Sequence, residues 1–275
     1  MSMIPKRYIN AVLSIGEQLP NGNNRWFASA FIVGKKVASD PSKSNIYLIT
    51  NRHVVNDRDK ILLRFNSKDG SGVKDMPCTL KDGNVERFSR HPSHDIDVVA
   101  CKLHGGNVQS VANLSWFDID DDALTLSQMQ SSGVDEGCFV YAIGFPMGIV
   151  SDLIKAPIVR LGCISKVEDA FGGFGGSSYY VDAQVFPGNS GGPIVSRPEL
   201  ASVGSTNHNS QANLIGIVSS YIPYTDSLIS RQTGKTVMVH RENSGLTNVF
   251  PVDRIKDVIQ IEEERVRLAN ADSTT

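Results

Sequence analysis

The sequence predicts an all-β fold that ends in one helix, and two observations support this prediction. Most apolar stretches are short, rich in Val, Ile, Tyr and Phe, and separated by turn residues, which is the pattern of a β-sandwich or β-barrel. In addition, no helical periodicity persists before residue 251. The predicted strands are residues 9–15, 26–33, 46–50, 61–65, 98–103, 139–143, 158–167, 179–186, 214–219 and 236–240.

The last segment, residues 251–275, has the spacing of an amphipathic helix. Pro251 suits a first helical turn, where its missing N–H costs nothing, and the apolar residues at 252, 255, 258 and 259 share one face. From Glu262 the sequence becomes charged. We therefore expect a solvated helix end that frays over residues 269–275.

Residues 1–250 are predicted to form one domain with two halves, at about 8–110 and about 138–250. A polar and acidic segment, residues 105–137, has weak periodicity and is the expected connection between the halves. Long surface loops in a compact domain usually carry function. We expect such loops at residues 40–44, 172–178 and 196–213.

Composition and charge exclude several classes of partner. With 27 basic and 29 acidic residues the net charge is −2, so neither nucleic acid nor an anionic membrane is expected as a partner. The sequence has no run of about 18 consecutive apolar residues, which excludes a membrane-spanning helix. No signal peptide is evident either, so we expect a cytoplasmic protein.

The cysteines and histidines lack the spacing of metal ligands. Cys78, Cys101, Cys138 and Cys163 lie far apart, in or beside strand-like apolar runs, so we expect reduced and partly buried thiols. A disulfide framework is the alternative for these four residues. No metal ion and no organic cofactor is expected.

The most specific motif is GNSGGP at residues 188–193. A serine with glycines two residues before it and one and two residues after it suits a tight turn that exposes a hydroxyl. In such a turn, backbone N–H groups converge on a developing oxyanion. The alternative is an ordinary glycine-rich turn. We interpret Ser190 as a nucleophile.

A serine hydroxyl needs a general base, and His53 is the best candidate. It lies in TNRHVV, residues 50–55, directly after the apolar run 46–49, where the chain turns. A histidine at a strand end can face a cleft between two halves. The other histidines lie in polar loops or at strand ends and are interpreted as solvated or structural: His91, His94, His104, His208 and His240.

The third catalytic group should be a carboxylate that orients the imidazole, and two aspartates are candidates. Asp95 and Asp97 would point to the same side of an extended strand, so alternation does not separate them. We favour Asp97 because an apolar strand begins immediately after it, which favours burial of its carboxylate. Asp95 is then a turn or capping residue, although the sequence does not exclude it.

The order His53, Asp97, Ser190 is that of chymotrypsin-like enzymes and differs from the orders of subtilisin-like and α/β-hydrolase enzymes. Within the trypsin-like fold the sequence resembles the HtrA/Deg branch. The resemblance extends from about residue 33 to residue 255. It rests on TNRHVV (50–55), VYAIGFPMG (140–148), DA…PGNSGGP (182–193), LIGIV (214–218) and FPVDRI (250–255).

This resemblance implies two six-stranded antiparallel β-barrels, with the active site in the cleft between them and a serine endopeptidase activity. His53 and Asp97 would come from the first barrel and Ser190 from the second. The oxyanion hole would be the backbone N–H groups of Gly188 and Ser190. Gln184 would lie at the base of the specificity pocket, and its wall and substrate-pairing edge would be Ser219, Ser220 and Tyr221.

The sequence departs from the branch in three places. Too few residues follow Arg254 for the PDZ domain that such proteases usually carry. Gln184 is not an aspartate, so a small or medium apolar side chain, or a polar one, is favoured over Arg or Lys as the substrate residue. The glycine-rich segment 172–178 replaces the activation segment, which leaves open a protease that stays latent until an activating protein partner, an oligomer or the substrate orders its pocket.

Two interpretations of function therefore stand. The first is proteolysis of protein or peptide substrates. The second is a catalytically silent peptide-binding module on a protease scaffold, since a fold does not fix a function. The presence of all three triad residues and of the loop glycines favours proteolysis.

Overall fold

The fold is described from a computed structural model, which covers residues 3–83, 85–172, 176–199, 204, 207 and 209–272. Its first half is an eight-stranded sheet, ordered β5-β4-β1-β2-β3-β9-β8, in which β10 pairs with β2 in parallel and the other pairs are antiparallel. Its strands are β1 (Val12–Gln18), β2 (Asn24–Val37), β3 (Asp40–Thr50), β4 (Lys60–Asn66), β5 (Val73–Thr79), β8 (Ser89–Arg90), β9 (Val99–Leu103) and β10 (Phe117–Asp118). A separate two-stranded hairpin consists of β6 (Lys81–Asp82) and β7 (Val85–Glu86).

The first sheet curls so that its two ends share one core. Leu63 of β4, Cys78 of β5 and Cys101 of β9 belong to the same buried cluster. These residues share one core although β5 and β9 lie far apart in the strand order. All four cysteines are free thiols.

The second half is a closed six-stranded barrel, ordered β11-β12-β13-β16-β15-β14. Its interior is filled by alternating residues of the strands, including Val140, Ile164, Val181 and Ile215. The strands are β11 (Phe139–Gly144), β12 (Ile158–Lys166), β13 (Tyr179–Asp182), β14 (Pro193–Ser196), β15 (Leu214–Ile229) and β16 (Thr236–Pro251).

Strands β15 and β16 continue beyond the barrel as a two-stranded arm. Their pairing runs from Pro223 opposite Asn243 to Ile229 opposite Thr236, and most of these residues are exposed. The outer part of the arm is apolar on both faces. Its exposed apolar side chains are Leu228, Ile229, Val237, Met238 and Val239.

The described residues also contain six helices, together with a 3₁₀ turn at Pro146–Gly148. They are α1 (Lys6–Ala11), α2 (Arg52–Val55), α3 (Gly105–Val111), α4 (Leu126–Ser132), α5 (Glu168–Phe171) and α6 (Val252–Asp272). Thr125 and Gln128 form a capping box at the start of α4. No helix in the described part of the chain is long and apolar enough to cross a membrane.

A third buried cluster joins the two halves. Phe31 and Tyr47 of the first sheet meet Ile143 and Leu214 of the second barrel, and the apolar face of α6 packs against them.

Glu262 of α6 is fully buried and links the helix to the first sheet. Its carboxylate accepts hydrogen bonds from Ser89 Oγ (2.7 Å) and from the Lys102 N–H (2.9 Å).

The all-β fold with two β-rich halves and a C-terminal helix is thus confirmed. Several predicted boundaries are wrong. Residues 9–11 are helical, residues 40–44 belong to β3, and residues 183–186 lie outside β13. The short helices α3 and α4 and the strand β5 were not predicted, because none of them carries a long enough apolar period.

The C-terminal helix also differs from the prediction. Pro251 is the last residue of β16, opposite Gly216, and the helix begins at Val252. The charged turn at Glu262 is buried rather than solvated, because backbone and side-chain donors of the first sheet satisfy its carboxylate. Parts of the predicted loops 172–178 and 196–213, His208 and residues 273–275 of the predicted frayed tail lie outside the described residues.

Candidate active site

His53 and Asp97 are brought together at the edge of the first sheet. His53 lies in α2, directly after β3, and Asp97 ends the segment between β8 and β9. Two hydrogen bonds join them: Nδ1 of His53 lies 2.5 Å from Oδ2 of Asp97, and the backbone N–H of His53 donates to Oδ1 at 3.0 Å. His53 therefore engages both oxygens of one carboxylate, Oδ2 through its imidazole and Oδ1 through its backbone N–H.

The two candidate aspartates differ in their surroundings. The side chain of Asp97 is 24% exposed, whereas Asp95 is an exposed residue whose backbone N–H donates to Ser93 Oγ. The backbone carbonyl of Asp97 also accepts a hydrogen bond from Asn51 Nδ2 at 2.8 Å. The geometry at His53 thus involves Asp97 and not Asp95.

Ser190 lies in a tight loop between β13 and β14 whose turns are closed by backbone hydrogen bonds. The N–H of Asn189 donates to Phe186 (2.9 Å), the N–H of Gly192 donates to Asn189 (2.9 Å), and the N–H of Gly191 donates to Val218 of β15 (3.0 Å). These bonds fix the loop on the barrel.

Two backbone amides of this loop have no hydrogen-bond acceptor among the described residues. The N–H groups of Gly188 and Ser190 donate no hydrogen bond to any described residue, although the amides of Asn189, Gly191 and Gly192 all do. The peptide before Gly188 is trans, and its carbonyl, on Pro187, accepts from the Met147 N–H at 2.6 Å. The Gly188 N–H therefore points away from Met147. Unpaired amides are rare in buried backbone, so this pair is the arrangement expected of an anion-binding site.

Glycine is required at two positions of the loop. Gly188 and Gly191 have φ of +102° and +83°. A Cβ on Gly188 would lie 2.4 Å from the carbonyl oxygen of Phe145, and one on Gly191 would lie 2.1 Å from that of Ser29. The loop can approach the neighbouring backbone only without these side chains.

Ser29 of β2 connects the first sheet to the nucleophile loop. Its hydroxyl donates to the carbonyl of Gly188 (2.6 Å) and accepts from the N–H of Phe145 (2.9 Å), while its own N–H donates to the carbonyl of Ser190 (2.9 Å). Ser29 is fully buried. The sequence reasoning missed it, because a single serine inside an apolar strand carries no recognisable signal.

The hydroxyl of Ser190 donates to the backbone carbonyl of Ser219 at 3.1 Å. It forms no hydrogen bond with His53 in the described structure. Rotation about one side-chain bond moves the hydroxyl without any change in the loop, and such contacts often form only when substrate is bound. The described structure thus contains a histidine oriented by a carboxylate and a serine loop with a hydroxyl and two amides that have no described partner.

A comparison with family models matches residues 28–204 to the trypsin-like peptidase domain. The match covers more than half of the chain and includes His53, Asp97 and Ser190. The chain belongs to the trypsin-like peptidase family. A search of curated proteins gave no significant match.

In this trypsin-like peptidase domain, the residues expected to bind substrate lie along β15 and beside β16. Ser219 is buried, and Ser220 and Tyr221 are exposed and pair with β16. Gln184 is exposed, and its side chain lies beside Gly245, where an added methyl group would be 3.9 Å from its Cγ. These residues follow or flank the loop that carries Ser190.

The other histidines that the structure describes lie outside this cluster. His91 and His94 lie in the segment before Asp97, and His91 Nε2 is 3.5 Å from a carboxylate oxygen of Asp257 in α6. His240 lies on the exposed arm, and His104 precedes α3.

Proposed function

We propose that this trypsin-like peptidase is an active serine endopeptidase that hydrolyses peptide bonds through an acyl-enzyme intermediate. Ser190 Oγ attacks the substrate carbonyl, His53 accepts the proton and later donates it to the leaving amine, and Asp97 orients the imidazole. The N–H groups of Gly188 and Ser190 bind the oxyanion. Water then hydrolyses the acyl-enzyme by the same base.

The observation that carries this proposal is the pair of unpaired amides. In a loop whose other amides are bonded, the two N–H groups without a partner belong to Gly188 and to Ser190 itself. Donors placed in this way before substrate arrives stabilise developing negative charge without reorganisation. A scaffold kept only for peptide binding has no use for this arrangement.

The His53–Asp97 contact supports the assignment of the base. With Nδ1 donating to Asp97, Nε2 carries the lone pair that accepts the serine proton. The rotation that brings Ser190 Oγ from Ser219 to His53 is the one movement that this proposal adds.

We also propose that substrate lies along Ser219, Ser220 and Tyr221, with its side chain directed toward Gln184. After Val218 the outer edge of β15 is not paired with another strand in the described structure, so it can accept an extended peptide. Gln184 is uncharged and offers no ion-pair partner. A small or medium apolar residue, or a polar one, is therefore expected before the scissile bond.

The test is cleavage of casein and of a proteome-derived peptide library, with the cut sites identified by mass spectrometry. Ser190→Ala should lower turnover by about 10⁶-fold. Ser227→Ala, an exposed serine on the arm, is the matched control and should leave turnover unchanged. Equal cleavage by the parent and by Ser190→Ala would exclude this mechanism.

A fluorophosphonate probe separates the proposal from the alternatives. An active enzyme is labelled at Ser190, whereas a folded protein that resists the probe would favour the silent peptide-binding module. Labelling with slow cleavage of short peptides that rises sharply on addition of a protein partner would favour the latent enzyme. Cleavage at full rate without a partner would exclude latency.

A further inference from the structure

The segment that delivers Asp97 has little structure of its own. Between β8 and β9 the chain forms neither helix nor strand. Within the segment, the N–H of Ile96 donates to Ser93 and the N–H of His91 donates to Val98, both at 3.3 Å. These two long backbone bonds do not fix the position of Asp97, so another group has to hold it.

Arg52 supplies the missing donors. Its residue is 8% exposed, and its guanidinium donates to four backbone carbonyls of this one segment. Nη2 lies 2.6 Å from the carbonyl oxygen of His91, 3.0 Å from that of Ser93 and 3.1 Å from that of Ile96. Nη1 lies 3.4 Å from the carbonyl oxygen of His94.

Arg52 stands between the two residues that contact Asp97 directly. Asn51 donates to the carbonyl of Asp97, and His53 bonds to both oxygens of its carboxylate. The Arg52 N–H also points to the Asp97 carbonyl, at 3.4 Å. Residues 51–53 thus hold Asp97 itself, while the Arg52 side chain holds the four carbonyl groups that precede it.

The partners of Arg52 favour a positioning role over charge pairing. In the described part of the chain its guanidinium forms no ion pair with a carboxylate; four backbone carbonyls and Nδ1 of His94, at 3.4 Å from Nη1, surround it instead. A planar guanidinium has donors fixed in a fork and can bridge several carbonyls at once. A lysine ammonium concentrates its donors on one atom and cannot span the same set.

We propose that Arg52 is a positioning residue for the endopeptidase: it fixes residues 91–96 so that Asp97 orients His53. This inference rests on the proposed function. When the guanidinium is lost, Asp97 moves relative to the imidazole, and displacements of about 1 Å at a catalytic group cost about 10²-fold in rate. The loss should appear in kcat rather than in KM, because Arg52 lies away from the substrate-binding edge.

The experiment compares Arg52→Met with Arg64→Met. Arg64 is another buried arginine, in β4, held by Asp75, Asp152 and the carbonyl of Ser151, and none of its hydrogen bonds goes to the segment that carries Asp97. Both variants lose a buried guanidinium with its hydrogen bonds. We expect Arg52→Met to lower kcat about 10²-fold with KM nearly unchanged, and Arg64→Met to keep the parent kcat while it folds.

A second readout does not depend on activity. A short hydrogen bond moves the ¹H resonance of its proton far downfield, so the Nδ1 proton between His53 and Asp97 should be visible by NMR in the parent and absent in Asp97→Asn. We expect this signal to weaken or shift in Arg52→Met and to persist in Arg64→Met. If the protein proved inactive but the signal still depended on Arg52, the proposed function would fail and the positioning role would stand.

Arg52→Lys provides the test if Arg52→Met does not fold, because lysine keeps the long stem and the charge. It should recover folding but not the full kcat or the parent signal. A folded Arg52→Met or Arg52→Lys with the parent kcat and the parent downfield signal would overturn the proposal. Equal losses of kcat in Arg52→Met and Arg64→Met would also overturn it, since they would reflect destabilisation alone.

Discussion

The two segments that meet at the active site are held in different ways. The loop that carries Ser190 is fixed by its own backbone hydrogen bonds and by glycines that let it touch the neighbouring chain. The segment that carries Asp97 has few backbone bonds of its own and is held by residues 51–53, mainly through their side chains. The Ser190 loop is thus held mainly by backbone contacts, and the Asp97 segment mainly by side-chain hydrogen bonds.

This difference teaches where each part of the site is vulnerable. A loop fixed by backbone contacts tolerates no added atoms, because the contacts are already at van der Waals distance. A segment fixed by side chains depends on a few donors, and the loss of one releases several acceptors together. Substitutions in the two segments should therefore fail in different ways, by steric clash in the first case and by loss of alignment in the second.

The largest expected effect of these substitutions on kcat concerns Asp97, in the segment held by side chains. Asp97→Asn should lower kcat by about 10⁴-fold, because an amide neither selects the right imidazole tautomer nor stabilises the imidazolium. Asp95→Asn, at an exposed aspartate two residues away, should change kcat by no more than about twofold. Steady-state kinetics with one peptide substrate measures both. A larger loss of kcat in Asp95→Asn than in Asp97→Asn would show that the assignment of the catalytic carboxylate to Asp97 is wrong.

The next prediction tests the loop that carries Ser190, which is held by backbone contacts. Gly191 and Gly22 have nearly equal φ, +83° and +84°, but a Cβ on Gly191 would lie 2.1 Å from Ser29 O, whereas one on Gly22 meets nothing within 4 Å. Gly22→Ala should cost about 1–2 kcal/mol of unfolding free energy from the left-handed backbone alone. Gly191→Ala should cost clearly more and slow cleavage, because the clash displaces the loop beside Ser190. Urea unfolding and a casein assay measure the two changes.

Similar urea midpoints for these two alanine variants would show that the nucleophile loop relaxes easily. Such a result would contradict the view that its backbone contacts are rigid. Cleavage by Gly191→Ala at the parent rate would contradict it more directly, since the clash lies one residue from the nucleophile.

A smaller effect is expected at the contact between the first sheet and the loop that carries Ser190. Ser29 and Ser14 are fully buried and lie opposite each other in β2 and β1. The Ser29 hydroxyl bonds to Gly188 and Phe145, whereas the Ser14 hydroxyl has no partner among the described residues. Ser29→Ala should lower kcat about 10-fold, less than the 10²–10³-fold loss of an oxyanion donor, because it loosens Gly188 without removing its N–H.

The free energy of unfolding should also distinguish Ser29→Ala from Ser14→Ala. Ser29→Ala leaves a buried carbonyl and a buried N–H without their partner and should cost about 1–3 kcal/mol of unfolding free energy. Ser14→Ala removes an unsatisfied hydroxyl and should be neutral or stabilising. Kinetics and urea unfolding of both variants provide the check. Equal behaviour of the two would mean that the Ser29 bonds contribute nothing to the oxyanion hole.

The same contrast explains how much of the molecule the sequence could predict. Glycines at fixed offsets from Ser190 leave a local signature, and the short apolar run after Asp97 favoured that aspartate over Asp95. Ser29 and Arg52 left no such signal, because their acceptors are backbone carbonyls far away in the sequence. A backbone acceptor is the same for every residue type, so only the fold reveals it.

The errors in the fold have similar causes. Residues 9–11 alternate like a strand, but Tyr8 and Ala11 are buried on one face of a short helix. Strand β15 was predicted to end at residue 219, yet it continues to Ile229 by pairing with β16 alone. Glu262 was predicted to be exposed by its charge, and it is buried because the first sheet supplies its donors.

The smallest expected effect concerns Lys155, a side chain by which the second half reaches the first. Its Nζ, in a residue 4% exposed, donates to the carbonyls of Asn10 (2.6 Å) and Val12 (2.8 Å). Burial, with a smaller contribution from Lys6, lowers the pKa of Lys155 to about 7. Between about pH 7 and the ordinary lysine range the unfolded chain binds more protons than the folded one, so the free energy of unfolding should rise with pH there.

For one group this rise is at most about 1.4 kcal/mol per pH unit, and it should vanish below about pH 7, where the folded lysine is protonated as well. Lys155→Met removes the group while keeping a long apolar stem, so the slope between pH 7 and pH 9 should be smaller by that contribution. Urea unfolding of both proteins at several pH values measures it, and other titrating groups cancel in the difference. Parallel pH profiles would mean that Lys155 stays charged in the fold, held by its two carbonyls, and that the halves are joined here by an ammonium rather than by an amine.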